Sequence, residues 1–172
     1  MSQQSPPVQP GQQTTALATR TQPWADPDWQ RLWLRLDGMP WRTLALIPAG
    51  EGAPLDFTVL LAVTLSRTGM THVGGPILVA DGTQVPLRQL NGFLADVRAC
   101  SDAGERVIVA LSSATTDPSI TTIAKSVDRV VLCVLLGSMH SADARRTIQA
   151  VGLSKFAGSV IIRPNDVSLT RK

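Results

Sequence analysis

From Trp24 onward the chain alternates between two hydrophobic periods. Trp29, Leu32, Trp33 and Leu36 recur at helical spacing, while Asp28, Arg31 and Arg35 lie off that stripe. Asp26-Pro27 supplies an N-cap and a proline at the first helical position, and Gly38 and Pro40 stop the pattern. Apolar strand-like runs follow at 43–48, 76–80, 107–111, 130–136 and 158–163. Between them, amphipathic patterns predict helices over 54–68 closed by Gly69, over 86–100, over 118–127, and over 141–151 with Gly152 as the stop. Continuous apolar strands separated by helices require a parallel sheet covered on both faces. The predicted fold class is α/β, a three-layer α/β/α sandwich with a mostly parallel sheet.

Composition divides the chain into parts. The first 22 residues are rich in Gln, Pro, Ser and Thr with Arg20 as the sole charge, too little apolar surface to offset the entropy of ordering. They are expected to form a flexible polar tail, followed by one domain over 23–165 and a short polar tail over 166–172. With 172 residues, 44% hydrophobic and 17% charged, the chain can close one sizeable core. The net charge of +3 is mild and the arginines stand singly apart from Arg145-Arg146, so no nucleic-acid partner is expected. Cys100 and Cys133 lie in apolar surroundings without metal-ligand spacing and read as buried thiols in a reducing compartment. No apolar run approaches the ~20 residues that span a bilayer, and the N-terminus lacks an apolar leader core. The expected location is the cytoplasm, without direct membrane insertion and with any contact at the inner membrane made through a partner.

Ligands of such sheets sit at the carboxyl ends of the strands, which directs attention to the loops after Pro48, Ala80 and Leu111. The first strand runs into Ala49-Gly50-Glu51-Gly52-Ala53-Pro54-Leu55 and then an apolar helix, the strand–loop–helix order of a P-loop. The catalytic form of that loop also needs a lysine at the β- and γ-phosphates and a hydroxyl on magnesium. Ala53 and Pro54-Leu55 provide neither.

The segment 29–36, followed by Trp41-Arg42-Thr43-Leu44-Ala45-Leu46-Ile47-Pro48-Ala49-Gly50-Glu51-Gly52, resembles the start of bacterial tyrosine-kinase domains. These are MinD/ParA-type deviant P-loop ATPases that accompany polysaccharide co-polymerases. The similarity continues through the helix 57–69, through Ile77-Leu78-Val79-Ala80-Asp81-Gly82-Thr83 in place of the second acidic motif, and through 107–113 in place of Walker B. It ends with Ala124-Lys125-Ser126-Val127-Asp128-Arg129-Val130, similar to the family's Ala-x-x-Val-Asp-Gly-Val, and spans roughly 24–164. The resemblance implies a P-loop NTPase-like domain and locates what it lacks. The loop lysine becomes Ala53, the two threonines become Pro54 and Leu55, and the Walker B aspartate becomes Ala110. Of the second motif's two acids only Asp81 remains, and the chain has no tyrosine to receive phosphate.

The expectation is a catalytically inactive pseudo-ATPase or pseudokinase, with no cofactor and no metal. It would act as scaffold or regulatory partner of a membrane-embedded exopolysaccharide or cellulose synthase or exporter. Gly50, Glu51, Gly52 and Asp81 form a degenerate nucleotide site expected not to bind. Asp56, placed in the first turn of the following helix, is expected to compensate the helix dipole in a self-satisfied pocket. The alternative is a MinD/ParA-like spatial regulator with residual nucleotide binding through Gly50, Gly52 and Asp81. Trp29, Arg31, Trp33 and Arg35 are candidate partner-binding residues, tryptophan and arginine being enriched at interface hot spots. Against that stands simple packing of the tryptophan stripe on the chain's own sheet. In the kinases an acid-x-x-Arg-x-x-Arg helix at this place mediates ring assembly; here Leu34 holds the second arginine position, leaving self-association only by another geometry. His72, His140 and Ser112-Ser113 lack the neighbours that metal binding or nucleophilic catalysis requires.

Overall fold

A computed structural model describes residues 22–115 and 117–163. The expected tails lie outside the described residues apart from Gln22. A 3-10 turn, Pro23–Ala25, leads into α1 (Pro27–Asp37), where the Asp26 carboxylate accepts the Asp28 N–H at 2.7 Å. The remaining order is β1 (Thr43–Pro48), α2 (Phe57–Val73), β2 (Ile77–Asp81), α3 (Leu90–Asp102), β3 (Arg106–Ala110), α4 (Pro118–Ser126), β4 (Arg129–Leu135), α5 (Ser141–Val151) and β5 (Phe156–Ile162).

The five strands are all parallel, in the order β2-β3-β1-β4-β5. β1 is buried at every position and central because both its neighbours are themselves apolar strands. Since side chains alternate across a strand, each strand feeds two cores. Leu44, Leu46, Ile108, Ala110, Val131 and Cys133 pack with α1 and α2. Ala45, Ile47, Val107, Val109, Val130 and Leu132 pack with residues of α3, α4 and α5. Right-handed crossovers demand this division: the β1-to-β2 connection runs toward one edge and the later connections run back. The sandwich therefore has α1 and α2 on one face and three helices on the other.

Three expectations change. Helix α2 starts at Phe57 rather than Pro54, so Asp56 is its N-cap and not a first-turn residue, and the Asp56 side chain makes no capping hydrogen bond. The helix also passes through Gly69 and ends at Gly74, whose φ of 65° suits a left-handed cap. Gly69 is no stop signal but a packing site: a Cβ there would lie 2.4 Å from Ile77 and from the Trp33 ring. Trp33 itself is 0% exposed, and Trp29 packs half-buried on the same cluster. The tryptophan stripe is thus spent on the chain's own core, which corrects the expectation that Trp33 faces a partner. Arg31 and Arg35 remain on the exposed side of α1.

Candidate functional site

The chain leaves β1 toward α2 on one face and leaves β3 toward α4 on the other, so these two loops diverge at adjacent carboxyl ends. A crevice is expected at such a switch point. It is present as a cleft of about 110 Å³ lined by Pro48, Gly50, Glu51, Ala53, Pro54, Leu55 and Thr58 from one loop and Leu111, Ser112 and Ser113 from the other. The sequence therefore locates the crevice, and Gly50 and Glu51 line it. Nucleotide-sized ligands occupy clefts of roughly 300–1,000 Å³, so this one is several-fold too small.

Specific contacts hold it small. Ala49 donates its N–H to Cys133 O at 2.9 Å and its carbonyl accepts from Thr147 Oγ1 at 3.4 Å, which seats the loop on β4 and α5. Gly52 is pressed against the loop after β4 so closely that a Cβ would fall 1.9 Å from the Ser138 carbonyl oxygen. On the opposite side, Thr115 Oγ1 donates to Glu51 Oε1 at 2.9 Å and shares a 2.7 Å hydrogen bond with Ser113 Oγ. Below them, Thr58 Oγ1 donates to Leu111 O at 2.8 Å and ties the first turn of α2 to the end of β3. The loop is strapped to both neighbouring strands of β1.

Its backbone and charge also differ from a phosphate cradle. No residue from Ala49 to Leu55 has positive φ, so the αR–αL alternation that turns successive N–H groups inward is not made. One of the N–H groups at the start of α2, that of Phe57, already bonds Pro54 O at 3.0 Å. Among the described residues the charged side chain in the cleft lining is Glu51, an anion where an incoming phosphate would need a cation. Ala110, at the end of β3, is fully buried and its methyl side chain offers no metal ligand.

Asp81 is elsewhere. It closes β2, pairs in register with Ala110, and accepts from the Thr83 N–H at 3.0 Å and the Thr83 hydroxyl at 2.6 Å. It lines a separate open basin with Arg88, Phe93 and Asp96 beneath the start of α3. The four candidate nucleotide residues thus divide: Gly50 and Glu51 in the cleft, Gly52 on Ser138, and Asp81 across β3.

The other candidates have local partners. Arg31 pairs with Asp28 at 2.7 Å on the exposed face of α1, where such pairs contribute little. His72 contacts Gln30 of α1, and His140 precedes α5 as its N-cap residue. Among the described residues no group of three or more His, Cys, Asp or Glu could hold a metal ion, and no helix is long and apolar enough to cross a membrane. Sequence reasoning missed Thr58 and Thr115, the residues that strap the loop. A lone threonine carries no periodic signal, so nothing in the pattern singles them out. Comparison with protein-family models, curated proteins and solved structures finds no match for the chain.

Proposed function

We propose that this chain is a P-loop ATPase-like, tyrosine-kinase-like domain that has lost catalysis and works by binding. It serves as scaffold or regulatory partner of a bacterial exopolysaccharide or cellulose synthesis or export machine. The observation that carries the binding-not-chemistry half is the β1–α2 loop, strapped through Glu51–Thr115 and Gly52–Ser138 over a cleft of about 110 Å³. Phosphoryl transfer needs positioned charge on the phosphates and metal, and Ala53, Pro54 and Ala110 supply none of it. The parallel sheet with β1 at its centre is compatible with the P-loop reading, and the association with polysaccharide rests on the motif resemblance. The exposed face of α1, with Arg31, Leu34 and Arg35, is the surface left for a partner once Trp33 is buried.

In-cell crosslinking and capture of the full chain test this reading. The expected result is recovery of inner-membrane components of a polysaccharide synthase or exporter, reduced in an Arg31→Ala/Arg35→Ala chain. Recovery of no envelope or glycosyltransferase component would overturn it. Calorimetry with magnesium and ATP separates the catalytic half, since micromolar binding would contradict a strapped loop.

A further inference from the structure

The amino-terminal edge of the sheet, opposite the degenerate loop, collects the positive charge that the sequence scatters. Arg42 immediately precedes β1, Arg106 opens β3, Arg129 opens β4, and Lys155 immediately precedes β5. These strands are consecutive in the sheet, so their starts lie side by side. Thr43 pairs with Val107 and Val130 with Phe156, which sets Arg42 beside Arg106 and Arg129 beside Lys155. Neighbouring strands are about 4.8 Å apart, so four cations form a short row. Together with Met39, Pro40, Trp41 and Asp128 they line an open basin of about 660 Å³.

Each cation is held by one end with donors to spare. Arg42 Nη1 donates to Gly104 O at 2.6 Å, Arg129 Nη1 to Ser154 O at 3.3 Å, and Lys155 Nζ to Val127 O at 2.7 Å. Arg106 pairs with Asp37 at 2.5 Å, and its guanidinium lies 4.9 Å from the Trp41 ring centroid. A guanidinium has five N–H donors and an ammonium three, so most remain for a ligand. Asp128, the one carboxylate lining the basin among the described residues, is engaged at Oδ2 by the backbone N–H groups of Arg42 and Thr43 at 2.8 and 2.9 Å. Asp37 against Arg106 and Asp128 beside Lys155 offset part of the row's positive charge, and a matching anion would neutralise the excess that remains. Trp41, the aromatic residue of the lining, is 5% exposed and does not protrude as the kind of aromatic anchor a protein partner grips.

We infer that this basin binds a small molecule carrying two or more phosphate groups, through Arg42, Arg106, Arg129 and Lys155. Planar guanidinium forks suit phosphate oxygens bidentately, and linked phosphates match a row of cations better than one isolated anion does. The site lies at the end of the sheet away from the β1–α2 cleft and does not depend on the scaffold reading.

Pyrophosphate is the probe, titrated calorimetrically into the full chain at low ionic strength. Binding tighter than ~1 mM is expected, weakening as salt screens partly exposed charges. An Arg42→Gln/Arg129→Gln chain, shown by circular dichroism to be folded, should bind at least about tenfold more weakly, whereas Arg145→Gln on α5 should bind unchanged. Should the double variant not fold, amide NMR shifts of the native chain decide the location: pyrophosphate should move Arg42, Arg106, Arg129 and Lys155 and leave 49–55 still. Absence of binding tighter than ~1 mM, shifts confined elsewhere, or indifference to the double variant would each overturn the site. So would tighter binding of a polyglutamate peptide, which would make the ligand an acidic protein segment.

Discussion

Gly69 of α2 and Trp33 of α1 meet with nothing between the glycine backbone and the indole: a Cβ at Gly69 would lie 2.4 Å from Cη2 and Cζ3 of that ring. Two effects oppose each other in Gly69→Ala. Alanine gains about 1 kcal/mol of helix propensity, whereas overpacking a filled core costs about 1–3 kcal/mol. The ring is wedged against Trp41 at 5.9 Å and cannot retreat, so sterics should win. Urea unfolding is expected to show net destabilisation; a neutral or stabilised variant would show that the two helices do not approach this closely.

The faces of α1 should separate in mutagenesis. Trp33→Ala is expected to cost about 3–5 kcal/mol, as for other large buried aromatics. Arg31→Ala and Arg35→Ala, both exposed, should stay within about 0.5 kcal/mol of the native chain. Thermal melts of the three variants check this, and a strongly destabilised arginine variant would mean that the outer face is structural.

Supplying the loop with the lysine and threonines of the catalytic P-loop should not confer ATP hydrolysis. In a chain carrying Ala53→Lys, Pro54→Thr and Leu55→Thr, phosphate release from magnesium-ATP is expected to remain at background. The cleft is about 110 Å³, Gly52 sits on the Ser138 carbonyl, and Ala110 still gives the metal no acid. Measurable turnover would overturn the reading of the strapped loop as closed to nucleotide.

Acid should act through Asp128. Burial pushes its carboxyl pKa up, but the backbone N–H groups of Thr43 and Arg42, the Thr43 hydroxyl and the Lys155 charge outweigh that and leave it below the ordinary value of 3.8. A depressed carboxylate pKa means that the unfolded chain takes up the proton first, so the stabilisation is complete above that value and is lost as pH falls through the folded pKa. The stability difference between the native chain and Asp128→Asn should therefore be present at neutral pH and shrink below about pH 4. Chemical denaturation across that range is the check, and a difference independent of pH would remove Asp128 from this role.

Cys133 should be chemically silent. It is fully buried in β4, and burial pushes its thiol pKa up to about 12 despite a hydrogen bond from the Ile47 backbone. Thiolate is the reactive form, so iodoacetamide at pH near 8 should leave Cys133 unmodified until urea unfolds the chain. Mass spectrometry reads this directly, and alkylation of the native protein would mean that the sheet opens around β4.

What the sequence determined by itself is what depends on neighbours along the chain. Periodicity placed the five strands and five α-helices of the described residues; β1 and α5 were legible to the residue, and helix–strand alternation required the parallel sheet. The absence of lysine and hydroxyl at Ala53, Pro54 and Leu55 was equally legible, since a missing functional group needs no geometry. Tertiary structure alone decided what depends on approach between distant segments. Gly69 read as a helix stop because its reason for being glycine is the Trp33 ring, 36 positions away in sequence. Gly52 read as part of a phosphate loop, yet its backbone lies against Ser138. The arginines looked scattered because a parallel sheet gathers strand starts far apart in the chain onto one edge. Only the strand order, with β3, β1, β4 and β5 side by side, turns Arg42, Arg106, Arg129 and Lys155 into one surface.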